Sequence, residues 1–282
     1  MSVRIVTDSS CDLPEEIIAR YGISVVPLYI NIGSESYTDG VELSRQDFYE
    51  NLSGYARHPT TSVPGQGKFR EAYDRLAKEG VTEILSIHIS INLSAVLNSA
   101  RLGAQQAAVP VTVFDSGQLT LGTGLQVLAA AKAATADASM EQIVALIEDQ
   151  GARTHSFAAL DTVEFLRRSG RLNRFQWGLA SVLSIKPLLK MHRGEMDLER
   201  VRTRRQSIER LIGLVSDLGP LEQLALVHTN APDRAEALHR QAIHLFPAGK
   251  QVLSAEVTPV IGAHVGPGAV GFVAVQSGGG RL

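Results

Sequence analysis

Four short segments of the sequence gather hydroxyl, carboxylate or imidazole side chains beside small residues, each where a strand-like run gives way to a helix-like one. Thr7-Asp8-Ser9-Ser10 follows an apolar opening run. Thr60-Thr61-Ser62 lies between Pro59 and Pro64 and leads into Gly65-Gln66-Gly67. Ser90 and Ser94 flank Ile91-Asn92-Leu93, and His264 stands among Gly262, Gly266 and Gly268. Turns of this kind are where open α/β sheets bind ligands. Hydroxyls and free N–H groups at a helix start suit an anion. Each segment also has a plainer reading: Asp8 and Ser9 as turn and cap residues, the proline-bounded hydroxyls as a stiffened loop, Ser94 as a helix N-cap. For His264 the glycines on both sides favour function, because they let backbone or ligand approach closely.

Other patterns exclude chemistry. Gly266, Gly268 and Gly271 fit G-x-G-x-x-G, but a dinucleotide fingerprint needs a following helix and an acidic residue about 20 positions on, and neither is present. There is no P-loop, no H-E-x-x-H and no G-x-S-x-G around Ser94. The eight histidines are scattered and the single Cys11 reads as a buried thiol, so neither a metal nor a cofactor is expected. Arg200, Arg202, Arg204 and Arg205 form a basic string. A solvated strand end explains it, and a local phosphate or acidic-partner site suits arginine as well.

Lys plus Arg number 27 and Asp plus Glu 29, so no overall field draws nucleic acid or anionic membrane. Apolar residues make up 44% and charged ones 20%, the balance of a folded globular protein. With no apolar run of about 18 residues and no secretory pattern at the start, a soluble, cytoplasmic protein without stable membrane insertion is expected. At 282 residues, two domains are a better expectation than one.

The elements that must position these residues follow from periodicity. Val3 to Thr7 reads as a strand and Asp12 as the N-cap of a helix closed by Gly22. Ser24 to Ile32 reads as a second strand, giving a βαβ start and a parallel sheet. Helices are expected at Gly67–Lys78, Ser99–Ala107, Gly124–Ala134 and Met140–Arg153, the last with a Ser139/Gln142 capping box, and strands at Glu83–Ile89 and Val111–Phe114. The rhythm restarts near residue 156 with a strand to Leu160 and a helix to Arg168. Ile185–Met191 and Met196–Val201 around Arg193-Gly194 read as a hairpin. Strands at Gln251–Val257 and Val270–Val275 follow, and Gly278-Gly279-Gly280 reads as a disordered tail.

Eight stretches in order resemble the DegV family, also called EDD proteins: VTDSSCDLP from Val6, TTSVP from Thr60, ISINLSAVLNSA from Ile89, VFDSGQLTLGTG from Val113, LDTVEFLRRSGRL from Leu160, SIKPLL from Ser184, RVRT from Arg200 and TPVIGAHVGPGAVG from Thr258. The resemblance implies a two-domain α/β fold. Residues 1–155 would form a mostly parallel-sheet, lipid-binding domain, and residues 156–282 a mixed-sheet domain closing the head-group groove. It implies a non-enzymatic carrier that holds a long-chain, palmitate-like fatty acid, mainly in the first domain, and presents its carboxylate to a separate ATP-dependent fatty-acid kinase subunit. By position, the carboxylate ligands fall on Thr61, Ser62, Ser94 and His264, and the arginines of phosphate transfer or kinase contact on Arg202 and Arg171. The chain departs from the family pattern at Gly65, Ala95, Val96 and Ser169. Burying about 15 methylenes at roughly 0.8 kcal/mol each supplies on the order of 12 kcal/mol before the cost of lost ligand freedom. The competing function is a hydrolase of small acyl esters, with Ser94 and His264 as nucleophile and base beside Asp8 or Asp115.

Overall fold

The computed structural model describes residues 3–171 and 185–278. Ser184 and the glycines at 279 and 280 lie outside the described residues. Strand β1 (Val3–Asp8), helix α1 (Glu15–Tyr21) and strand β2 (Ser24–Val26) form the expected opening unit, with Gly22 at φ +57° ending the helix. The Ser24–Ile32 run is not one strand. Pro27, which cannot donate to a ladder, breaks it, and the chain leaves the sheet. It re-forms as β3 (Tyr29–Ile32) in a separate antiparallel sheet with β4 (Glu35–Thr38) and β5 (Thr60–Ser62), which carries Thr61. Helix α2 (Arg45–Asn51) joins β4 to β5.

Helix α3 (Gln66–Lys78) buries Phe69, Ala72, Tyr73 and Leu76, one stripe at helical spacing. Strand β6 (Glu83–His88), helix α4 (Val96–Ala104) and strand β7 (Val111–Asp115) complete a four-stranded parallel sheet of order β2-β1-β6-β7. Helix α5 (Leu121–Thr135) is buried on nearly all sides over its first turns and touches β1, β6, β8 and β13, so it lies between the two main sheets. Helix α6 (Met140–Arg153) starts at the expected capping box.

A six-stranded mixed sheet follows: β8 (Thr154–Ala159), β9 (Lys186–His192), β10 (Glu195–Val201), β11 (Leu221–His228), β12 (Ser254–Glu256) and β13 (Val270–Gln276), in the order β10-β9-β8-β13-β11-β12. The β9–β10 pair is the expected hairpin. Helix α7 (Glu164–Arg168) follows β8, while α8 (Arg204–Ser216) and α9 (Pro232–Gln241) pack on one face of the sheet. The other face shares its core with the parallel sheet: Ala225, Val227, Val273 and Val275 belong to the same apolar cluster as Val6, Leu85 and Leu125. Helix α10 (Pro259–Val265) is a departure from expectation, because His264 stands in the last turn of a helix and not in a glycine loop. Pro259 pre-sets the backbone for its first turn. After Gly266 and Gly268 the chain runs into β13, so no helix follows these glycines. Among the described residues no helix is long and apolar enough to cross a membrane.

Candidate functional site

The parallel sheet reverses its strand order between β1 and β6, and the loops that leave those two strands meet at their C-terminal ends. A fully buried hydrogen-bond chain fixes them. Asp8 Oδ2 accepts from the Ile89 N–H at 3.3 Å and contacts His88 Nδ1 at 2.9 Å; His88 Nε2 meets Ser86 Oγ at 2.7 Å, and Ser86 Oγ meets the Tyr73 hydroxyl at 2.9 Å. The Ser10 N–H and hydroxyl both donate to the other Asp8 oxygen. Burial alone would raise the Asp8 carboxyl, but His88 and Ser10 together hold it below its ordinary value. On this support the Ser90–Ser94 turn leaves β6. The Ser94 N–H donates to Ser90 O, and Ser94 Oγ accepts weakly from the Val96 N–H at 3.4 Å, although α4 has Ala95 at its N-cap and no side-chain cap.

His264 comes to the same region from the other end of the sequence. Three consecutive residues before α10 are gripped by the N-terminal half: Arg45 donates to Glu256 O, the Tyr49 hydroxyl donates to Val257 O at 2.8 Å, and the Thr258 N–H donates to Asp12 Oδ1 at 2.9 Å. The Thr258 hydroxyl in turn donates to Asp39, at 2.6 and 2.7 Å to its two oxygens. Gly262 completes the seat, since a Cβ there would lie 2.2 Å from the Tyr49 hydroxyl oxygen. Asp12 is therefore not the N-cap of α1, which has no side-chain cap. It sits in a left-handed conformation with its carboxyl buried beside Arg45 at 3.4 Å. Burial raises Asp12 to about 7 against the pull of Arg45 and the bond from Thr258, and raises Asp39 as well.

So held, His264 Nε2 lies 3.1 Å from Thr61 Oγ1 on β5. Its Nδ1 is buried and has no hydrogen-bond partner among the described residues. Burial, helped by the nearby Arg171 and His58, drives the imidazole down to about 3, so it is neutral at ordinary pH. Ile261 and Val265, on the same helix, line an apolar cavity of about 40 Å³ together with Leu160, Leu189 and Val227 of the mixed-sheet side and Leu119 and Thr120 of the other. The cavity is walled mostly by residues after 156.

Thr61 and His264 are in contact and Arg171 lies near enough to influence the imidazole, while among the described residues no hydrogen bond joins Ser62, Ser94 or Arg202 to them. Neighbouring strand residues point to opposite faces, so Ser62 cannot share the Thr61 side. Its hydroxyl instead accepts from Asn31 Nδ2 at 3.3 Å. Ser94 stands on the β6 turn, and among the described residues no hydrogen bond joins it to His264. Arg171 donates to Ser169 O at 2.8 Å, and Arg202 is exposed one residue beyond β10. Among the described residues no contact assembles the hydrolase triad: Asp8 is bonded to His88 and Ser10, Asp115 accepts from the Gly117 N–H at 2.9 Å, and no carboxylate meets His264 Nδ1. His58, three residues before Thr61, was missed in the sequence; its ring lies tilted to Phe165 at 5.7 Å and faces the α10 backbone.

A family model described as uncharacterised protein, DegV family, matches residues 2–277. A DegV domain-containing protein of Streptomyces coelicolor is 38% identical over 275 residues, spanning 96% of this chain and 97% of the relative. Its counterpart in Deinococcus radiodurans is 37% identical over 278 residues, with the same coverage. Among solved structures, a fatty-acid-binding DegV family protein from Thermus thermophilus superposes with a TM-score of 0.89 at 31% identity, covering 98% of this chain and all of that one. The Bacillus subtilis fatty acid binding protein DegV gives 0.88 at 28% identity, with the same coverage. By its motifs, its mixed α/β architecture and these matches along nearly its whole length, the chain belongs to the DegV family.

Proposed function

We propose that this chain binds one long-chain fatty acid at the seam between its two main sheets and presents the carboxylate to a separate ATP-dependent kinase subunit. The observation that carries the binding half is His264: a neutral, partly exposed imidazole with one nitrogen on Thr61 and the other buried and, among the described residues, unpartnered, on the helix that walls an apolar cavity. In the tautomer whose Nε2 accepts from the Thr61 hydroxyl, Nδ1 is a buried donor without an acceptor, which is costly, and a ligand carboxylate supplies the acceptor. Ser94, at the switch point of the parallel sheet, is the second hydroxyl that reaches the carboxylate. The described cavity is far below the several hundred Å³ that ligand sites enclose, so tail entry parts α10 from the sheet beneath it. Fatty acid binding by the Thermus thermophilus and Bacillus subtilis relatives supports this reading.

The kinase half is supported by Arg171, close enough to His264 to influence its titration, and by the family position of Arg202. A guanidinium at the mouth suits a transferred phosphoryl group and leaves the resting carboxylate alone. Native mass spectrometry of gently purified protein is expected to show one acyl chain per polypeptide. Lipid-free protein that also refuses added palmitate overturns the reading. Arg202→Ala is expected to retain palmitate and lose most acyl-phosphate formation when mixed with ATP and the kinase. Full activity in that variant makes Arg202 an ordinary surface arginine, and loss of palmitate places it in the head-group site.

A further inference from the structure

Helix α5 and strand β11 wall more than the cavity behind His264. Thr120, just ahead of α5, and His228, at the end of β11, line that cavity, whereas Leu125, Leu128 and Lys132 further along α5 and Leu224 further back on β11 line a second, open groove of about 220 Å³. Its floor is apolar, completed by Phe246 and Leu253. Its rim carries Arg20 from α1, Lys132 from α5 and Lys250 from the loop before β12. No acidic side chain lines it, and among the described residues none of the three cations forms an ion pair; Arg20 lies only over the Tyr21 ring, at 5.5 Å. Three uncompensated cations above a greasy floor are unusual in a chain whose formal net charge is −2.

We infer that this groove is a second binding site, for a small anionic amphiphile whose charged head meets Arg20, Lys132 and Lys250 and whose apolar body lies on Leu128, Phe246 and Leu253. The charge pattern selects an anion, because a neutral apolar ligand leaves the cationic rim unused and a cationic one is repelled by it. The apolar floor selects an amphiphile over a simple inorganic anion, which would gain nothing from it. Carboxylate and phosphate heads both fit this chemistry. The inference does not depend on the fatty-acid reading, since none of these residues belongs to the His264 site.

The probe is 1-anilinonaphthalene-8-sulfonate, an anionic amphiphile whose fluorescence rises in apolar surroundings. Titrated into the full chain loaded with one equivalent of palmitate, it is expected to bind with a stoichiometry of one and to weaken as salt screens the rim. Lys132→Glu combined with Lys250→Glu is expected to weaken it about tenfold, since two exposed contacts are reversed in sign. Arg20→Glu alone, at an exposed helix position, repeats the test with a smaller drop should the double variant lose its near-ultraviolet circular dichroism. Decyl phosphate and decanoate are then competed against the dye, and the better competitor names the head group. Unchanged dye affinity in folded charge-reversed variants, or displacement by neither amphiphile, overturns the inference. Failure of palmitate binding alone leaves these readouts intact and bears only on the proposed function.

Discussion

His88 and His264 are both withdrawn from solvent, yet they serve opposite ends. His88 has each ring nitrogen engaged, by Asp8 and by Ser86, within a network whose side chains are wholly buried. His264 has one nitrogen on a threonine hydroxyl and one on nothing. A satisfied polar network in a low-dielectric interior specifies a geometry and is expensive to disturb, whereas an unsatisfied one is held ready for something that arrives. The first histidine belongs to the scaffold beneath the crevice and the second to the crevice itself.

The sharpest way to break this contrast is His88→Leu. It leaves the Asp8 carboxylate buried without its partner and is expected to cost about 3 to 5 kcal/mol in urea unfolding. Stability equal to the parent would show that the network is ornamental. A smaller, pH-dependent effect is expected at His264. Its folded value of about 3 lies below the ordinary 6.5, so between those values the unfolded chain holds a proton that the folded chain refuses. Stability relative to His264→Gln is therefore lost as pH falls from about 6.5 toward 3, by at most about 1.4 kcal/mol per pH unit. Asp12, raised to about 7, titrates in an overlapping window with the opposite sign. The difference between parent and His264→Gln removes that background, and parallel stability curves would place His264 in water when folded. The smallest effect belongs to Ser94→Ala, expected to weaken palmitate by about 1 to 3 kcal/mol with the fold intact. Equal affinity in a fluorescent fatty-acid titration would leave Ser94 with only its weak bond to Val96.

What the sequence disclosed about this architecture was whatever depends on neighbours in the chain. The capping box of α6 needs only Ser139 and Gln142, three residues apart, and was legible. The parallel sheet followed from alternating strand and helix patterns, and the family motifs marked the segments that border the crevice. The β3–β4–β5 sheet was hidden because an apolar run through Pro27 reads as continuous and its strands are three or four residues long. Helix α10 was hidden because Gly262 and Gly266 weaken its helical pattern, although Pro259 at its first turn is a helix-start residue. The grip of Asp12 on Thr258 spans almost the entire chain, and no local pattern can announce it. Thr61 and Ser62 look alike in a string, and only the strand itself discloses that its pleat sends adjacent side chains to opposite faces.

Strand β13 comes last of the described strands in sequence, yet it lies in the middle of its sheet, paired with β8 on one side and β11 on the other. On the ribosome, β8 and β11 are both made long before the strand that must separate them. Until β13 emerges, each shows an open edge of unpaired backbone groups, and pairing these two with one another would close the wrong sheet. Closing the right one means bringing together residues more than a hundred positions apart, which is slow. The nascent chain thus has an interval with open strand edges that ends when β13 inserts, and soluble yield is expected to change when the codons between β11 and β13 are recoded to slow or speed translation.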